Sequence, residues 1–368
     1  MRVSAALYPF TSEFLQLVRH FDALQDKYAL SELVSPPGFG LTGKDAGYSR
    51  NHHDVGIAVS SGFNFEGSSW RTLLITRPVD VDVEGFDDDS AIAARAALEA
   101  GKQVSYYCAR ATGAPAPVLE LQSEYPLHMS VIDGHTKQVY SSTGRGGHRT
   151  IDVPVVLVGG LLADADTSEI LLSLATRFRT ERMNPLVLTR YPIASMFGFH
   201  CYSSIFEDNA LTEEAKIMEL ITFAKNLELL HMPGIILAEA PDAVMKYSAS
   251  VPNGFGVRSY MLCQAMPPDY FVCGVPYNDG HGKLIEMVSE RFSHSLGVPI
   301  SAAHVSNLLL DTMELSRQGK VSYTFLDPSL VRERVRRVKR ESGIPVFDIV
   351  NDGVDELYLS LGGIRHTA

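Results

Sequence analysis

The chain has 368 residues, 45% of them hydrophobic and 20% charged, with a formal net charge of −11. That composition belongs to a folded globular protein, and the length calls for two domains. The acidic balance excludes a general electrostatic attraction to nucleic acid or an anionic membrane surface, and no apolar run is long enough for a membrane span.

Val3 to Leu7 predicts a first strand, and Phe14, Leu17, Val18 and Phe21 recur at helical spacing after it. The opening MRVSAALYPF meets Pro9 without the long apolar region of a signal peptide, so a cytoplasmic location is expected. Tyr28 to Val34 predicts a second strand, whose end opens the loop SPPGFGLTGKDAG. Gly38, Gly40 and Gly43 fit G-x-G-x-x-G, followed at once by Lys44 and Asp45. Glycines let a backbone approach a ligand closely, and a lysine beside them can neutralise an anion. A dinucleotide fingerprint, however, follows the first strand and opens a helix. A ligand- or partner-binding loop and a plain surface loop both stand.

Val55–Ser60 and Thr72–Thr76 predict two short strands, Ser90–Ala100 a helix, and Val104–Cys108 the last parallel strand of this domain. Residues 118–142 alternate loosely, as in an added hairpin. The acidic run Asp80–Asp89 lacks the ligand spacing of a calcium loop and reads as a solvated linker. His52 and His53 are adjacent on an extended chain, so they point to opposite faces and make no metal clamp. The Gly-rich basic joint STGRGGHRTIDVP (142–154) separates an N-terminal domain, 1–150, from a second, 151–368.

The second domain opens on VPVVLVGGLLADADTSEILLSLATRFRTERMNPLVLTR. An apolar strand ends on Gly159 and Gly160, a polar turn follows, and Ile170, Leu171, Leu174 and Phe178 mark a helix that Thr167 or Ser168 can cap. Leu186–Leu188 completes a βαβ unit. A helix N-terminus aimed from a strand end can receive an anion. Laying G-x-x-x-x-G-K-[ST] on Gly160 puts Ala165 at the second Gly, Asp166 at the Lys and Thr167 at the hydroxyl, so the turn keeps the architecture of a phosphate loop and loses its cation.

His200 and Cys201 are neighbours without a third group, and packing is the simpler reading. Ile217, Leu220, Ile221, Ala224 and Leu227 make the stripe of a helix Thr212–Leu230. Gly234–Ala238 is a buried strand with Glu239 at its carboxyl end, where an acid can hold Mg²⁺, cap a helix or pair with a cation. A strand at Tyr270–Val275, a helix at Leu284–Leu296, a short strand at Ile300 and a helix around Val305–Leu315 follow. The next helix carries Val331, Val335 and Val338 on one face and Arg332, Arg334, Arg336, Arg337, Lys339 and Arg340 elsewhere, a solvated face or a dock for an acidic partner. A strand at Pro345–Val350 and a helix at Val354–Leu361 close the chain. Cys108, Cys201, Cys263 and Cys273 are scattered and form neither a zinc knuckle nor a disulfide framework.

The stretches YPFTSEFLQLVRHFDAL, LVSPPGFGLTGKDAG, VGGLLADADTSEILLSLATRF, FGFHCYSSIFEDN and CQAMPPDYFVCGVPY resemble the peptide maturation system proteins found with radical SAM enzymes in ribosomal-peptide natural product clusters. The second half is distantly similar to the dethiobiotin synthetase and MinD-like branch of P-loop proteins. That likeness implies a phosphate site at Gly159, Gly160, Thr167 and Ser168, with Glu239 as the acid ending a later strand.

The expected fold is α/β, with two Rossmann-like three-layer domains of mostly parallel strands. Three functions follow. The first is an accessory factor that binds a precursor peptide, or a radical SAM or carrier partner, through Gly38–Asp45 and the domain cleft. The second is a nucleotide- and Mg²⁺-dependent enzyme of ligase type that modifies the peptide. The third is a small-molecule binding module, which needs an apolar pocket. Neither the reaction nor the oligomeric state is legible in the residues.

Overall fold

A computed structural model describes residues 2–65, 67–78, 83–108, 113–134, 150–278, 280–318 and 321–361. Most of the joint expected at 142–154, and residues 80–82 of the acidic run, lie outside the described residues. The chain forms two compact α/β units, residues 1–137 with 191–201, and residues 138–190 with 202–368.

The first unit runs β1 (Val3–Tyr8), α1 (Leu15–Leu24), β2 (Tyr28–Val34), β3 (Val59–Ser60), β4 (Thr72–Thr76), α2 (Phe86–Glu99), β5 (Gln103–Cys108), α3 (Ala116–Glu124) and β6 (Met129–Asp133). The sheet order is β3-β2-β1-β4-β5-β6, every pair parallel, which is the order of dinucleotide-binding domains. Ala5 to Tyr8 are buried because β1 lies in mid-sheet, covered on both faces. One core gathers Ala6, Ile75 and Tyr106 from the strands and Phe86, Ala94 and Ala97 from α2. Small alanines let that helix lie close to the sheet.

Two expectations for this unit are corrected. The described part of 118–142, residues 118–134, forms a helix and a parallel strand in place of a hairpin, and Val104–Cys108 is not the last strand. The prolines that look like a break stand at the start of α3, with Pro115 at the cap and Pro117 in the first turn, where a missing N–H costs nothing. Val118 and Leu121, three residues apart, face the core, and β6 then pairs parallel to β5. The strand expected at Val55–Ser60 shortens to β3.

The second unit contains β7 (Val155–Gly160), α4 (Thr167–Thr180) and β8 (Pro185–Thr189). After the segment 191–201, which holds a two-residue strand β9 (His200–Cys201), come α5 (Ser203–Glu207), α6 (Glu213–His231), β10 (Ile235–Glu239), α7 (Val257–Ala265), β11 (Tyr270–Val275), α8 (His281–Ser295) and β12 (Ala302–Val305). The chain ends with β13 (Leu308–Leu310), α9 (Thr312–Gln318), β14 (Tyr323–Phe325), α10 (Pro328–Glu341), β15 (Val346–Phe347), α11 (Ile349–Asp352) and α12 (Asp355–Ser360).

Six strands of this unit lie parallel in the order β15-β12-β11-β7-β10-β8. Every residue of β7, β8 and β10 is buried, as central strands require. On α6, Leu220, Ala224 and Leu227 are buried as expected, joined by Phe223, while Ile217 and Ile221 pack at the margin. The helix expected around Val305–Leu315 begins later, as α9 at Thr312, and Leu308–Leu310 is a strand instead. Leu308–Leu310 pairs antiparallel with Tyr323–Phe325, and α9 starts only after Asp311, whose carboxylate accepts from the Met313 and Glu314 amides at 2.9 Å each.

Candidate functional site

β7 is the switch strand of the second sheet. The chain leaves it for β8 on one side, and β11 flanks it on the other. In open α/β sheets ligands bind outside the carboxyl ends of strands at such a point. The turn Leu161–Asp166 lies there and folds back tightly. A side chain at Gly160 would strike the Leu162 carbonyl, and one at Gly274 of β11 the Ala165 carbonyl. Gly159 has no more room, with Val244 and Ala240 against it. Leu162 and Ala165 are themselves covered by the β13–β14 hairpin through Leu308 and Leu310.

Thr167 and Ser168 do not cap α4, because their hydroxyls are spent elsewhere. Ser168 Oγ donates to Glu239 Oε1 at 3.0 Å; Thr167 Oγ1 lies 3.3 Å from the same oxygen and 3.1 Å from the Ala163 carbonyl. The Thr189 hydroxyl donates to Glu239 Oε2, the Arg190 amide reaches that oxygen at 3.4 Å, and Arg190 Nε stands 3.9 Å from Oε1. The Tyr202 hydroxyl donates to the Glu239 carbonyl. Thus three strand ends, β7 through its turn, β8 and β10, converge on one carboxylate with no exposed surface. α4 begins after Asp166 without a side-chain cap, and the first amides of a helix have no carbonyl within it to donate to.

Asp166 stands at the position of the phosphate-loop lysine in left-handed conformation, φ 55°. Its carboxylate is buried against His304 of β12, Oδ2 to Nε2 3.2 Å. The Ile349 amide donates to His304 Nδ1 at 3.1 Å, which leaves Nε2 as the nitrogen that donates to Asp166. Burial opposes a second proton. The Asp166 hydrogen bond and charge, with the charges of Asp348 and Glu169, outweigh burial and raise the ring's pKa above the ordinary value. The acid that looks repulsive to phosphate is therefore engaged inside the fold.

Asp242, three residues past Glu239, accepts from Ser259 Oγ at 3.0 Å. Burial pushes its carboxyl above the usual range, against that hydrogen bond and the charges of Arg258 and Arg190. The cysteines offer no activated thiol. All four are buried, and burial pushes Cys263 up to about 12 and Cys273 higher still.

The Gly38–Asp45 residues belong to the first unit. Gly38, Gly40 and Gly43 all have positive φ, and the loop lies at the end of β2, away from the β1–β4 switch point. Past β1 stand buried Phe10 and Thr11 in place of glycines. The loop spends its own amides: Gly43 N donates to Val59 O, Lys44 N to Leu41 O and Ala46 N to Ile57 O. Asp45 ties the fold together, accepting from the Gly47 and Val55 amides at 2.7 Å and the Gly56 amide at 2.8 Å. Lys44 Nζ sits 3.7 Å from the centre of the Tyr48 ring.

Among the described residues no group of three or more His, Cys, Asp or Glu gathers to hold a metal. The donors of Glu239, Thr167 and Ser168 are all hard oxygens. They fit Mg²⁺ brought in with a phosphate, which keeps waters and needs only one or two protein carboxylates. Sequence reasoning found Thr167, Ser168 and Glu239 and missed Thr189, Arg190 and His304. The lone histidine in the buried strand AAHV and the Thr-Arg pair closing β8 are their only signals.

Fold and site define an α/β protein of two parallel-sheet units, with an oxygen-rich cluster at the switch point of the second. A DUF1611 family protein from Anabaena variabilis ATCC 29413 is similar in structure with a TM-score of 0.62 and 13% identity, covering 98% of this chain and 100% of that one. A nucleotide-binding protein from Archaeoglobus fulgidus, solved with ADP, is 12% identical over 56% of this chain and 86% of that one, with a TM-score of 0.30. No protein-family model and no curated protein matches the sequence. The first likeness extends the two-unit fold over the whole chain. No helix among the described residues is long and apolar enough to cross a membrane.

Proposed function

We propose that the second unit binds a Mg²⁺-bearing phosphate compound, a nucleotide in the first instance, at the β7–α4 turn. The convergence of Ser168 and Thr167 on Glu239 carries this reading. A hydroxyl at the start of α4 and an acid on the neighbouring strand are the pair that phosphate-binding α/β proteins use to hold Mg²⁺. Arg190, beside Glu239 at the end of β8, supplies the positive charge that Asp166 does not. The uncapped amides of α4 would receive the phosphate oxygens. A role in the maturation of a ribosomal peptide, with a precursor peptide or radical SAM enzyme as partner, is the reading that the sequence resemblance supports.

Thermal unfolding with ATP, GTP and ADP, each with and without Mg²⁺, tests the binding. A ligand at one hundred times its Kd stabilises the native state by about 2.7 kcal/mol. A Mg²⁺-dependent rise in Tm, lost in Ser168→Ala and in Arg190→Ala, is expected. No shift with any nucleotide overturns the reading and leaves the peptide as the ligand to pursue.

A further inference from the structure

We propose that the outer face of α10 is a docking groove for a short acidic peptide segment, independent of the phosphate site. Val331, Val335 and Val338 fix the helix by burying one stripe in the core. The opposite side forms a groove of about 310 Å³ with Tyr277, Leu330, Arg334, Arg336, Arg337 and Arg340 on its walls. The Arg334 guanidinium lies 5.3 Å from the centre of the Tyr277 ring, which gives the groove a flat, cationic floor.

The charge here runs against the rest of the molecule. Residues 328–341 hold Arg332, Arg334, Arg336, Arg337, Lys339 and Arg340 against Glu333 and Glu341, six minus two, or +4, in a chain of −11. Part of it is neutralised within the fold, since Arg337 pairs with Glu341 at 2.9 Å, Lys339 with Glu356 at 2.9 Å and Arg332 with Asp352 at 3.7 Å. Among the described residues no carboxylate pairs with Arg336 or Arg340, and the Arg340 side chain donates only to the Arg336 carbonyl. These two arginines are four apart on a helix, an arrangement that like charges disfavour. An anionic occupant removes that repulsion.

The spacing selects a peptide over a compact anion. Arg336 and Arg340 are about 6 Å apart along the helix axis, and Arg334 and Arg340 about 9 Å. Side chains two apart on an extended peptide are separated by about 6.8 Å, close to the first interval. The helix's own amides in mid-course are bonded within it, so the donors that the helix offers to an occupant are the guanidinium groups alone. Leu330, 45% exposed at one end of the groove, offers an apolar contact beside the charges. Glu333 on the wall repels a carboxylate placed there and so favours one orientation.

The test is fluorescence anisotropy of the full chain with a labelled peptide Leu-Ala-Glu-Ala-Glu-Ala and its Gln-for-Glu counterpart, at low salt. The acidic peptide is expected to bind at least tenfold more tightly than the neutral one. The double variant Arg336→Ala/Arg340→Ala should lose at least tenfold in affinity without a fall in Tm. Arg179→Ala/Arg182→Ala, with the same change in net charge elsewhere, should bind as the parent does. Equal binding of both peptides, unchanged affinity in the groove variant, or equal loss in the control variant overturns the proposal. So does displacement by pyrophosphate at concentrations below those of unlabelled peptide, which would make the groove a phosphate site.

Discussion

The Asp166–His304 pair shows how one side chain changes the meaning of a motif. In sequence, Asp166 is an acid where a phosphate needs a lysine. In the fold it is a buried partner of His304, 3.2 Å away, and it helps pin the turn to β12. Removing one member of a buried pair leaves the other without its partner, so His304→Ala should cost about 3–5 kcal/mol in urea unfolding. Asp166→Asn, which retains an acceptor, should cost less. Asp242 gives a pH test. Its carboxyl is raised by burial, so the folded state holds the proton more tightly than the unfolded chain, whose aspartates titrate near about 3.9. Its contribution to stability therefore falls as pH rises from the unfolded value through the folded one. Asp242→Asn should raise Tm at neutral pH, with the gain vanishing below the unfolded value; a variant less stable at pH 7 than the parent would contradict this. Thr167, Ser168 and Glu239 were legible because they sit where a strand meets a turn. His304 was not, because its partner is 138 residues away.

At the scale of elements, strands and helices with one dominant periodicity were read correctly. β7, β11 and α6 are apolar runs or stripes whose burial follows from local pattern. Failures came where pairing is remote or punctuation ambiguous. The β13–β14 hairpin joins Leu308 to Phe325 across α9, and nothing near Leu308 signals that partner. Prolines 115 and 117 open α3 but read as a break. The closeness of turn and strand is itself testable. A methyl group at Gly274 meets the Ala165 carbonyl, a backbone atom with the hairpin packed on Ala165 beside it. Gly274→Ala should destabilise by about 1–3 kcal/mol, the usual cost of overpacking, and weaken any ligand of the α4 start. Circular dichroism melts and nucleotide binding on the same variant would register both effects.

For the whole molecule, length points to two domains and the alternation of strand and helix patterns to α/β, and two largely parallel sheets are present. The return of residues 191–201 to the first unit has no mark in the sequence. In that unit Gln25 Nε2 donates to the Met196 carbonyl at 2.6 Å, and Phe21 meets Phe197 edge-on at 5.9 Å. A fragment 1–150 lacks both partners, so trypsin should cleave it faster than it cleaves the same residues in the full chain. Equal rates would show that the segment contributes nothing to that unit. Synthesis on the ribosome gives this arrangement a timetable. Domains commonly fold in turn as they emerge, at about 5–20 residues per second. Here the first unit lacks its last piece until residue 201 has been made, when β7, α4 and β8 have already left the peptidyl-transferase centre and β10 to β12 have not. Three apolar elements must then wait for their sheet partners while the first unit completes itself, an interval in which a chaperone has most to protect.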